Sequence, residues 1–130
     1  MKVYLDASAA AKLMTMEAES LALRTCLAES SDGGDSVWSS VLLETELRRM
    51  AQRNGHTQAE ATTVLDALSL GLADRALFVE AGLLPGDARR SLDALHVATA
   101  LRLSADLFIS YESRQLAAAR DAGLHVASPS

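Results

Sequence analysis

Short apolar segments alternate along the chain with longer segments of helical composition. The apolar segments are rich in residues that favour strands, and they predict strands at 2–5, 37–38, 76–80, 106–111 and 124–127. The intervening segments predict helices at 8–14, 17–28, 40–54, 57–70, 91–103 and 113–122. Short strands that alternate with helices predict an α/β fold with a mainly parallel central sheet.

Polar residues and glycines mark where several of these elements end. The segment 30–36 (SSDGGDS) predicts the clearest loop of the chain. Gly55 stands where a helix typically ends. Thr57 is followed three residues later by Glu60, which predicts a capping box at the start of the next helix.

The composition fits one globular domain over residues 1–130. With 49% hydrophobic residues the chain can bury a core, and no repeat or linker divides it. The single cysteine, Cys26, excludes a disulfide framework and a multi-cysteine zinc site. No apolar run reaches the roughly 18 to 20 residues that a membrane span needs. We therefore expect a cytoplasmic protein with no membrane partner.

Two acidic residues follow predicted strands directly. Asp6 comes after the strand at 2–5, and Glu112 comes after the strand at 106–111. Ligands of parallel sheets gather beyond the carboxyl ends of the strands, so both residues are candidate site residues. The alternative for each residue is that its carboxylate only caps the following helix.

A third acid, Asp93, lies in a helix whose other side chains are apolar nearly all round. Such a helix is buried, and burying a carboxylate is costly unless a cation or strong hydrogen-bond donors compensate. Asp93 is therefore a candidate site residue. The alternatives are that it caps its helix or forms an ion pair with Arg89 or Arg90.

The segment 41–50 (VLLETELRRM) contains two further acids, Glu44 and Glu46. They lie about 200° apart around a helix, so only one of them can face the core. Glu46 falls within the apolar arc of the helix, whereas Glu44 has Arg48 four residues later, the spacing of an exposed ion pair. Glu46 is therefore the candidate site residue of this segment.

Together, Asp6, Glu46, Asp93 and Glu112 can converge near one end of the sheet. Carboxylates that lie close together repel one another, and a divalent cation relieves that repulsion. Oxygen ligands without cysteine or clustered histidine suit Mg²⁺ or Mn²⁺, which can activate water and polarise a phosphodiester. The net charge of −5 argues against bulk attraction to nucleic acid. Without these four acids, however, 13 acidic residues would remain against 12 basic ones.

Four segments of the chain resemble a known family. In this order, and in a chain of this length, they are similar to the PIN-domain ribonucleases, specifically the VapC-type toxins of bacterial toxin–antitoxin pairs. The segments are VYLDASAAAKL, SSVLLETEL, RRSLDALHVATAL and FISYESRQLAAARDAGLHVASP. The resemblance covers essentially the whole chain, and it implies a three-layer domain with a short central sheet flanked by helices.

The resemblance also implies an activity and partners. It implies an endoribonuclease that requires Mg²⁺ or Mn²⁺, is held inactive by a VapB-like antitoxin, and forms homodimers and toxin–antitoxin hetero-oligomers. Asp6 and Asp93 would be the main metal ligands, and Glu46 would complete the metal shell or orient the water. Glu112 stands where the family usually has Asp. It would bind metal through water or shape a second, weaker metal site, and this departure can reduce the activity.

Other side chains near these acids are candidates for supporting roles. Ser8 and Ser110 could donate hydrogen bonds to ligating carboxylates, or could serve only as turn and cap hydroxyls. His96, one helical turn after Asp93, is interpreted as a packing residue rather than a catalytic one. The candidates for phosphate contact, each otherwise a solvated charge, are Lys12, Arg89, Arg90 and Arg114. Two aromatic residues are interpreted as packing residues rather than base-stacking platforms: Trp38 and Tyr111.

Two other functions stay open from the residues alone. A phosphoacceptor aspartate at a strand end occurs in haloacid-dehalogenase-like enzymes and in response-regulator receivers. The former need a second Asp two residues after Asp6, where Ser8 stands, and the acid pair and central acceptor of the latter are not evident. The other alternative is a catalytically silent module that binds proteins, and Glu112 is the feature that favours it.

Overall fold

The computed structural model describes residues 1–86 and 90–130. Within these ranges, five strands form one sheet and seven helices surround it. The strands are β1 (Lys2–Leu5), β2 (Ser36–Ser40), β3 (Ser69–Gly71), β4 (Leu107–Ile109) and β5 (Val126–Ala127). The helices are α1 (Ala7–Met14), α2 (Ser20–Asp32), α3 (Leu42–Asn54), α4 (Gln58–Asp66), α5 (Arg75–Gly82), α6 (Ser91–Arg102) and α7 (Ser113–Asp121).

Strand β1 lies at the centre of the sheet, whose order is β3-β2-β1-β4-β5 with every pair parallel. Val3 pairs with Val37 of β2 on one side and with Leu107 of β4 on the other. Because the strands run in the same direction, their carboxyl ends share one edge of the sheet. At this edge the N–H of Asp6 donates to the carbonyl of Ile109 over 3.2 Å. The predicted α/β fold with a mainly parallel sheet is confirmed.

Helices cover both faces of the sheet because successive side chains of β1 point into two different cores. Val3 and Leu5 pack on one face with Ala9 of α1 and Leu23 of α2. Tyr4 points to the opposite face, where its buried neighbours are Val97 and Ala100 of α6, Phe108 of β4 and Ala119 of α7. The three layers implied by the resemblance are therefore present.

The strand predicted at 76–80 is wrong, because these residues lie in α5. Asp74 caps this helix by accepting a hydrogen bond from the N–H of Leu77 over 2.9 Å. Leu77 and Ala81, four residues apart, are buried, whereas Phe78 is exposed. That spacing is the signature of a helix with one apolar face, and it outweighs the strand-forming composition of the segment.

The third strand lies instead at Ser69–Gly71, within the helix predicted at 57–70. Helix α4 ends at Asp66, and β3 pairs with β2 at the edge of the sheet. Gly71 approaches α6 so closely that an added Cβ would lie 3.0 Å from Cγ2 of Thr99. Glycine permits this close approach. A strand of three residues is too short for its alternation to be recognised in the sequence.

The loop predicted at 30–36 is shorter than expected. Helix α2 continues to Asp32, and β2 already begins at Ser36, where the N–H donates to the carbonyl of Met1. Serine and aspartate favour loops only weakly, so the glycines at 33 and 34 mark the true helix end.

Two other predicted helix ends are confirmed. Gly55 follows α3 with a φ of 74°, a backbone conformation that glycine adopts without strain. Thr57 and Glu60 form the predicted capping box of α4. Among the helices in the described ranges, none combines the length and hydrophobicity that a membrane span requires.

Candidate active site

Asp6 is held at the carboxyl end of β1 by three hydrogen-bond donors. Its Oδ1 accepts from the hydroxyl of Ser8 over 2.7 Å and from the N–H of Ala9 over 3.0 Å. Its Oδ2 accepts from the hydroxyl of Ser110 over 2.6 Å. The side chain therefore caps α1, and it also accepts hydrogen bonds from both serines predicted as donors.

Asp6 is also the most enclosed of the four candidate acids, since only 3% of its surface is exposed. This burial raises the pKa of the carboxyl. The hydrogen bonds from Ser110, the N–H of Ala9 and Ser8 act in the opposite direction and lower it. The Asp6 carboxyl is therefore removed from most of the solvent, and three hydrogen-bond donors partly compensate for that loss.

The two serines join the turn after β1 to the turn after β4. Their hydroxyl oxygens lie 3.2 Å apart. The Ser8 oxygen accepts from the N–H of Tyr111 over 2.9 Å, and the Ser110 oxygen accepts from the N–H of Glu112 over 3.1 Å. Both hydroxyls are thus used as donors to Asp6 and as acceptors from the second turn, which fixes the position of Asp6 relative to the start of α7.

Glu46 faces inward from α3, as predicted. Its side chain is only 15% exposed, and its Oε1 lies 2.7 Å from Nε2 of His96 on α6. Glu44 faces outward and forms the predicted ion pair with Arg48, whose two side chains are 44% and 38% exposed. The helical periodicity therefore predicted correctly which of the two glutamates faces inward.

His96 connects Glu46 to the central strand. The imidazole is buried, and its Nδ1 lies 2.7 Å from the hydroxyl of Tyr4 on β1. The negative charges of Asp6 and Glu46 both raise the pKa of Tyr4, although burial of the phenol is the largest cause. Both carboxyls therefore lie near the same phenol, on the α6 side of the sheet.

Asp93 lies in the first turn of α6 and is partly exposed, whereas residues 95–100 of this helix are buried. It does not cap the helix, because the N-cap position is occupied by Arg90. Nor does it form an ion pair with Arg90 or any other residue in the ranges 1–86 and 90–130; Arg89 lies outside the described residues. Its position near the positive end of the helix dipole favours a carboxylate there.

Gln115 of α7 holds the backbone of Asp93. Its Nε2 donates to the Asp93 carbonyl over 3.1 Å. The side chain is 2% exposed, and its Oε1 is a buried acceptor with no hydrogen-bond partner in the described part of the chain. Gln115 was not singled out from the sequence, since a glutamine in a polar helix segment carries no signal of burial.

Glu112 occupies the N-cap position of α7, but its side chain makes no capping hydrogen bond. Burial raises the pKa of Glu112, and the charges of Asp6 and Asp93 raise it further. The positive charges of Arg90 and Arg114 act in the opposite direction. Glu112, Asp6 and Asp93 therefore share one electrostatic environment at the carboxyl edge of the sheet, and two arginines lie within its reach.

The chemistry of these side chains fits a hard divalent cation. The available donors are carboxylate oxygens, to which Gln115 adds a buried amide oxygen without a partner. Within the described ranges, no three acidic, histidine or cysteine side chains are already arranged as ligands around one point. Asp6 and Glu46 are fixed by hydrogen bonds, so Asp93 and Glu112 are the side chains that would turn towards an ion.

The remaining candidates for phosphate contact divide into two groups. Lys12 is already engaged, because its Nζ forms ion pairs with Glu17 and Glu19 and lies 5.2 Å from the ring centre of Tyr111. Arg90 and Arg114 form no ion pair within the described ranges and remain available.

The two aromatic residues interpreted as packing residues are half-buried. Trp38 packs against the core between the sheet and α6, and Tyr111 packs against the core on the other face. The hydroxyl of Tyr111 donates to the carbonyl of Pro129 over 2.7 Å. These contacts confirm the interpretation.

A second buried polar side chain, besides Gln115, was missed in the sequence. Tyr4 stands in an apolar strand and was assigned only to the sheet, although a buried phenol needs a hydrogen-bond partner. His96, on an apolar helix, has the same need. Neither need identifies the partner, because nothing in the sequence places the strand of Tyr4 against the helix of His96.

Comparisons with known proteins agree with this geometry. The PIN domain family model matches residues 3–121 of the chain. Ribonuclease VapC47 of Mycobacterium tuberculosis (strain CDC 1551 / Oshkosh) is 35% identical over 131 residues, which cover 98% of this chain and 96% of that protein. Ribonuclease VapC46 of Mycobacterium tuberculosis (strain ATCC 25618 / H37Rv) is 39% identical over 132 residues, covering 98% of both.

A solved structure has the same fold. It is the VapBC2 complex from Rickettsia felis bound to a DNA fragment from their promoter, one chain of which superposes with a TM-score of 0.77. The superposition covers 100% of both chains at 13% sequence identity. At that identity the likeness concerns the arrangement of helices and strands alone.

Proposed function

Because the chain belongs to the PIN-domain family, as its resemblance predicted, we propose that it is a VapC-type endoribonuclease, the toxin of a toxin–antitoxin pair. The observation that carries the proposal is the setting of Asp6. A buried carboxylate with three hydrogen-bond donors stands where the sheet ends, and its charge and that of Asp93 both act on Glu112. A cluster of acids at this edge suits the cleavage of a phosphodiester.

We further propose that Asp6, Glu46, Asp93 and Glu112 hold Mg²⁺ or Mn²⁺. When bound, such an ion polarises the scissile phosphate and makes a water molecule more acidic. Asp6 and Asp93 would supply the main ligands, and Glu46 would complete the shell or orient the water. Glu112, which is longer than the family's usual Asp, would act through water or shape a second site.

The protein's own side chains would fix a metal ligand in place and bind the substrate. Ser8 and Ser110 fix both oxygens of Asp6, so this ligand has little freedom to lose when an ion binds. Arg90 and Arg114 carry positive charge beside Glu112, and their guanidinium groups match the geometry of RNA phosphates. These two arginines would therefore offset the repulsion between an acidic site and an anionic substrate.

The partner proposal follows from the relatives. The Rickettsia felis structure is a VapBC2 complex, so a VapB-like antitoxin is the partner we propose for this chain. We propose that the antitoxin silences the nuclease, and that the toxin forms homodimers and hetero-oligomers with it.

Cleavage of a single-stranded RNA in Mg²⁺ or Mn²⁺, compared with EDTA, tests the activity and its metal dependence together. Asp6→Asn and Asp93→Asn should abolish cleavage while the circular dichroism spectrum stays native. Glu44→Gln is the matched control, since Glu44 is an exposed acid on the same helix as Glu46, and it should cleave like the wild type.

Other outcomes would select the alternatives. Covalent phosphorylation of Asp6 would identify a phosphoryl-transfer enzyme. Retained antitoxin binding with no cleavage in any metal would identify a silent binding module.

A further inference from the structure

A chain of three polar side chains crosses the interior between the sheet and α6. Tyr4 on β1, His96 on α6 and Glu46 on α3 are joined by two hydrogen bonds of 2.7 Å each. Tyr4 has no exposed surface and His96 has 1%. The chain therefore starts in the central strand, far from solvent, and ends at a candidate ligand of the active site.

The direction of the hydrogen bond to Glu46 follows from the groups themselves. A carboxylate can only accept, so Nε2 of His96 must carry the proton that it donates to Glu46. The other ring nitrogen, Nδ1, meets the hydroxyl of Tyr4. A hydroxyl can donate or accept, so it satisfies Nδ1 as the second partner of the imidazole.

The other hydroxyls beside the phenol do not compete for His96. Ser39 donates to the carbonyl of Leu5, and Thr99 donates to the carbonyl of Leu95, each over 2.7 Å. Their protons are therefore already used on the backbone. The hydroxyl of Tyr4 is therefore the one that meets the imidazole.

The rings are also prevented from turning. Tyr4 stacks on Phe108 with the ring centres 5.3 Å apart and an angle of 13° between the planes. His96 meets the edge of Tyr4 at a centre distance of 5.9 Å. This packing restricts rotation of the buried imidazole and favours the orientation in which Nε2 faces Glu46.

We propose that His96, fixed by Tyr4, is a positioning residue that sets the orientation of Glu46 for the active site. One oxygen of Glu46, Oε1, is anchored to His96, and Oε2 has no hydrogen-bond partner within the described ranges and is left for an ion or its water. Glu44, two residues earlier, differs, because its partner Arg48 is only partly buried. This inference rests on the proposed function of the same site.

Two substitutions of His96 separate positioning from simple packing. In His96→Gln the amide nitrogen occupies about the place of Nε2, so the donor to Glu46 is kept. In His96→Asn the amide lies near the place of Nδ1 and does not reach Glu46. Both variants put a neutral amide in the same pocket, so a purely structural role would give them similar behaviour.

Binding of Mn²⁺ to the antitoxin-free protein, measured by calorimetry in the absence of RNA, is the main readout. Groups that orient a metal ligand typically contribute about 10- to 100-fold in metal affinity, so His96→Asn should weaken binding by about that factor. His96→Gln should recover most of the loss. Equal affinities in the two variants would overturn the proposal.

A second readout does not involve metal. Proton–nitrogen-15 NMR of the metal-free protein should show a proton held on Nε2 of His96, its signal being identified by its loss in His96→Gln. Tyr4→Phe should remove the partner of Nδ1 and make this proton exchange faster with water. An Nε2 without a proton in the wild type would overturn the proposal. If His96→Asn does not fold, Tyr4→Phe supplies the affinity test, and unchanged Mn²⁺ binding in it would also overturn the proposal.

Failure of the proposed metal-dependent ribonuclease function would give a different set of binding results. In that case the wild type would not bind Mn²⁺ more tightly than Asp6→Asn, whatever stands at position 96. Metal binding that depends on Asp6 but is the same with Gln or Asn at position 96 would overturn only the role of His96.

Discussion

The two sides of the acidic site are built differently. Asp6 and Glu46 are held by hydrogen-bond donors, the partly buried Ser8 and the buried Ser110 for the former and the buried His96 for the latter. The carboxylates of Asp93 and Glu112 accept no hydrogen bond from any residue within 1–86 and 90–130. The site therefore has a rigid side and an adaptable side, and a bound ion would be located by the first and enclosed by the second.

The difference follows from the elements that carry these residues. Asp6 extends the central strand, and the hydroxyl of Ser110 comes from the neighbouring strand end, so the sheet itself brings donor and acceptor together. Asp93 and Glu112 stand at the starts of helices α6 and α7, where the helix dipole favours an acid without fixing its rotamer. Pre-organisation thus comes from the sheet, and adaptability comes from the helix ends.

The largest expected effect distinguishes Asp6, on the rigid side, from Glu112, on the adaptable side, by activity. Asp6→Asn should reduce RNA cleavage by more than about 100-fold, since even groups that only orient a metal ligand contribute about 10- to 100-fold. Glu112→Gln should cost clearly less, because its side chain is exposed and free to be replaced by water. Initial rates at saturating Mg²⁺ measure both, and equal losses would remove the distinction between Asp6 and Glu112.

The next effect tests the rigid side alone. Ser110→Ala removes the donor to Oδ2 of Asp6 and should reduce cleavage by about 10- to 100-fold. It should also lower the free energy of unfolding by about 1 to 3 kcal/mol, because a buried carboxylate oxygen loses its partner. Ser113→Ala, an exposed serine three residues later, is the control and should change neither the rate nor urea unfolding.

A pH effect sharpens the comparison further. The pKa of Asp6 is raised above its ordinary value of 3.8, chiefly by burial, so the folded protein binds this proton more tightly than the unfolded chain does. Its contribution to stability is therefore present below pH 3.8 and is lost as the pH rises through the raised pKa. Glu112 shifts in the same direction from 4.5, but its exposure makes its contribution small.

Thermal unfolding of metal-free protein from about pH 4 to about pH 7 measures this loss. Asp6→Asn should lose less stability than the wild type over the same range, and added Mg²⁺ should restore the wild type at the upper end. A wild-type profile parallel to that of Asp6→Asn would contradict the assignment of the loss to Asp6.

The smallest effect concerns the adaptable side. Asp93→Asn should leave the melting temperature of the metal-free protein unchanged or slightly higher, since it removes one of several like charges. Differential scanning calorimetry without metal measures it. A loss of more than about 2 kcal/mol would instead identify Asp93 as part of a structural ion pair.

Much of the fold and the site could be predicted because both depend on patterns that the sequence displays. The spacing of apolar residues placed Glu46 inside and Glu44 outside, and the position of Asp6 after a strand placed it at the sheet edge. Strand β3 and helix α5 were both missed. The strand has only three residues, and the helix has a composition that is typical of strands.

The hydrogen bonds between distant elements could be anticipated only in part. Ser8 is near Asp6 in sequence, and Ser110 precedes a candidate acid, so both serines were predicted as donors. The pairing of Tyr4 with His96 joins residues 92 positions apart, and only packing decides which buried polar groups meet.

The place of β1 in the sheet has a consequence for synthesis of the protein. Strand β1 is translated well before its neighbour β4 and before Ser110, whose hydroxyl holds Asp6 and lies 104 positions later. Closing so large a loop must await synthesis of the intervening residues. A nascent chain that has not yet reached Ser110 therefore holds Asp6 without this donor, and the candidate site cannot be assembled before β4 has been made.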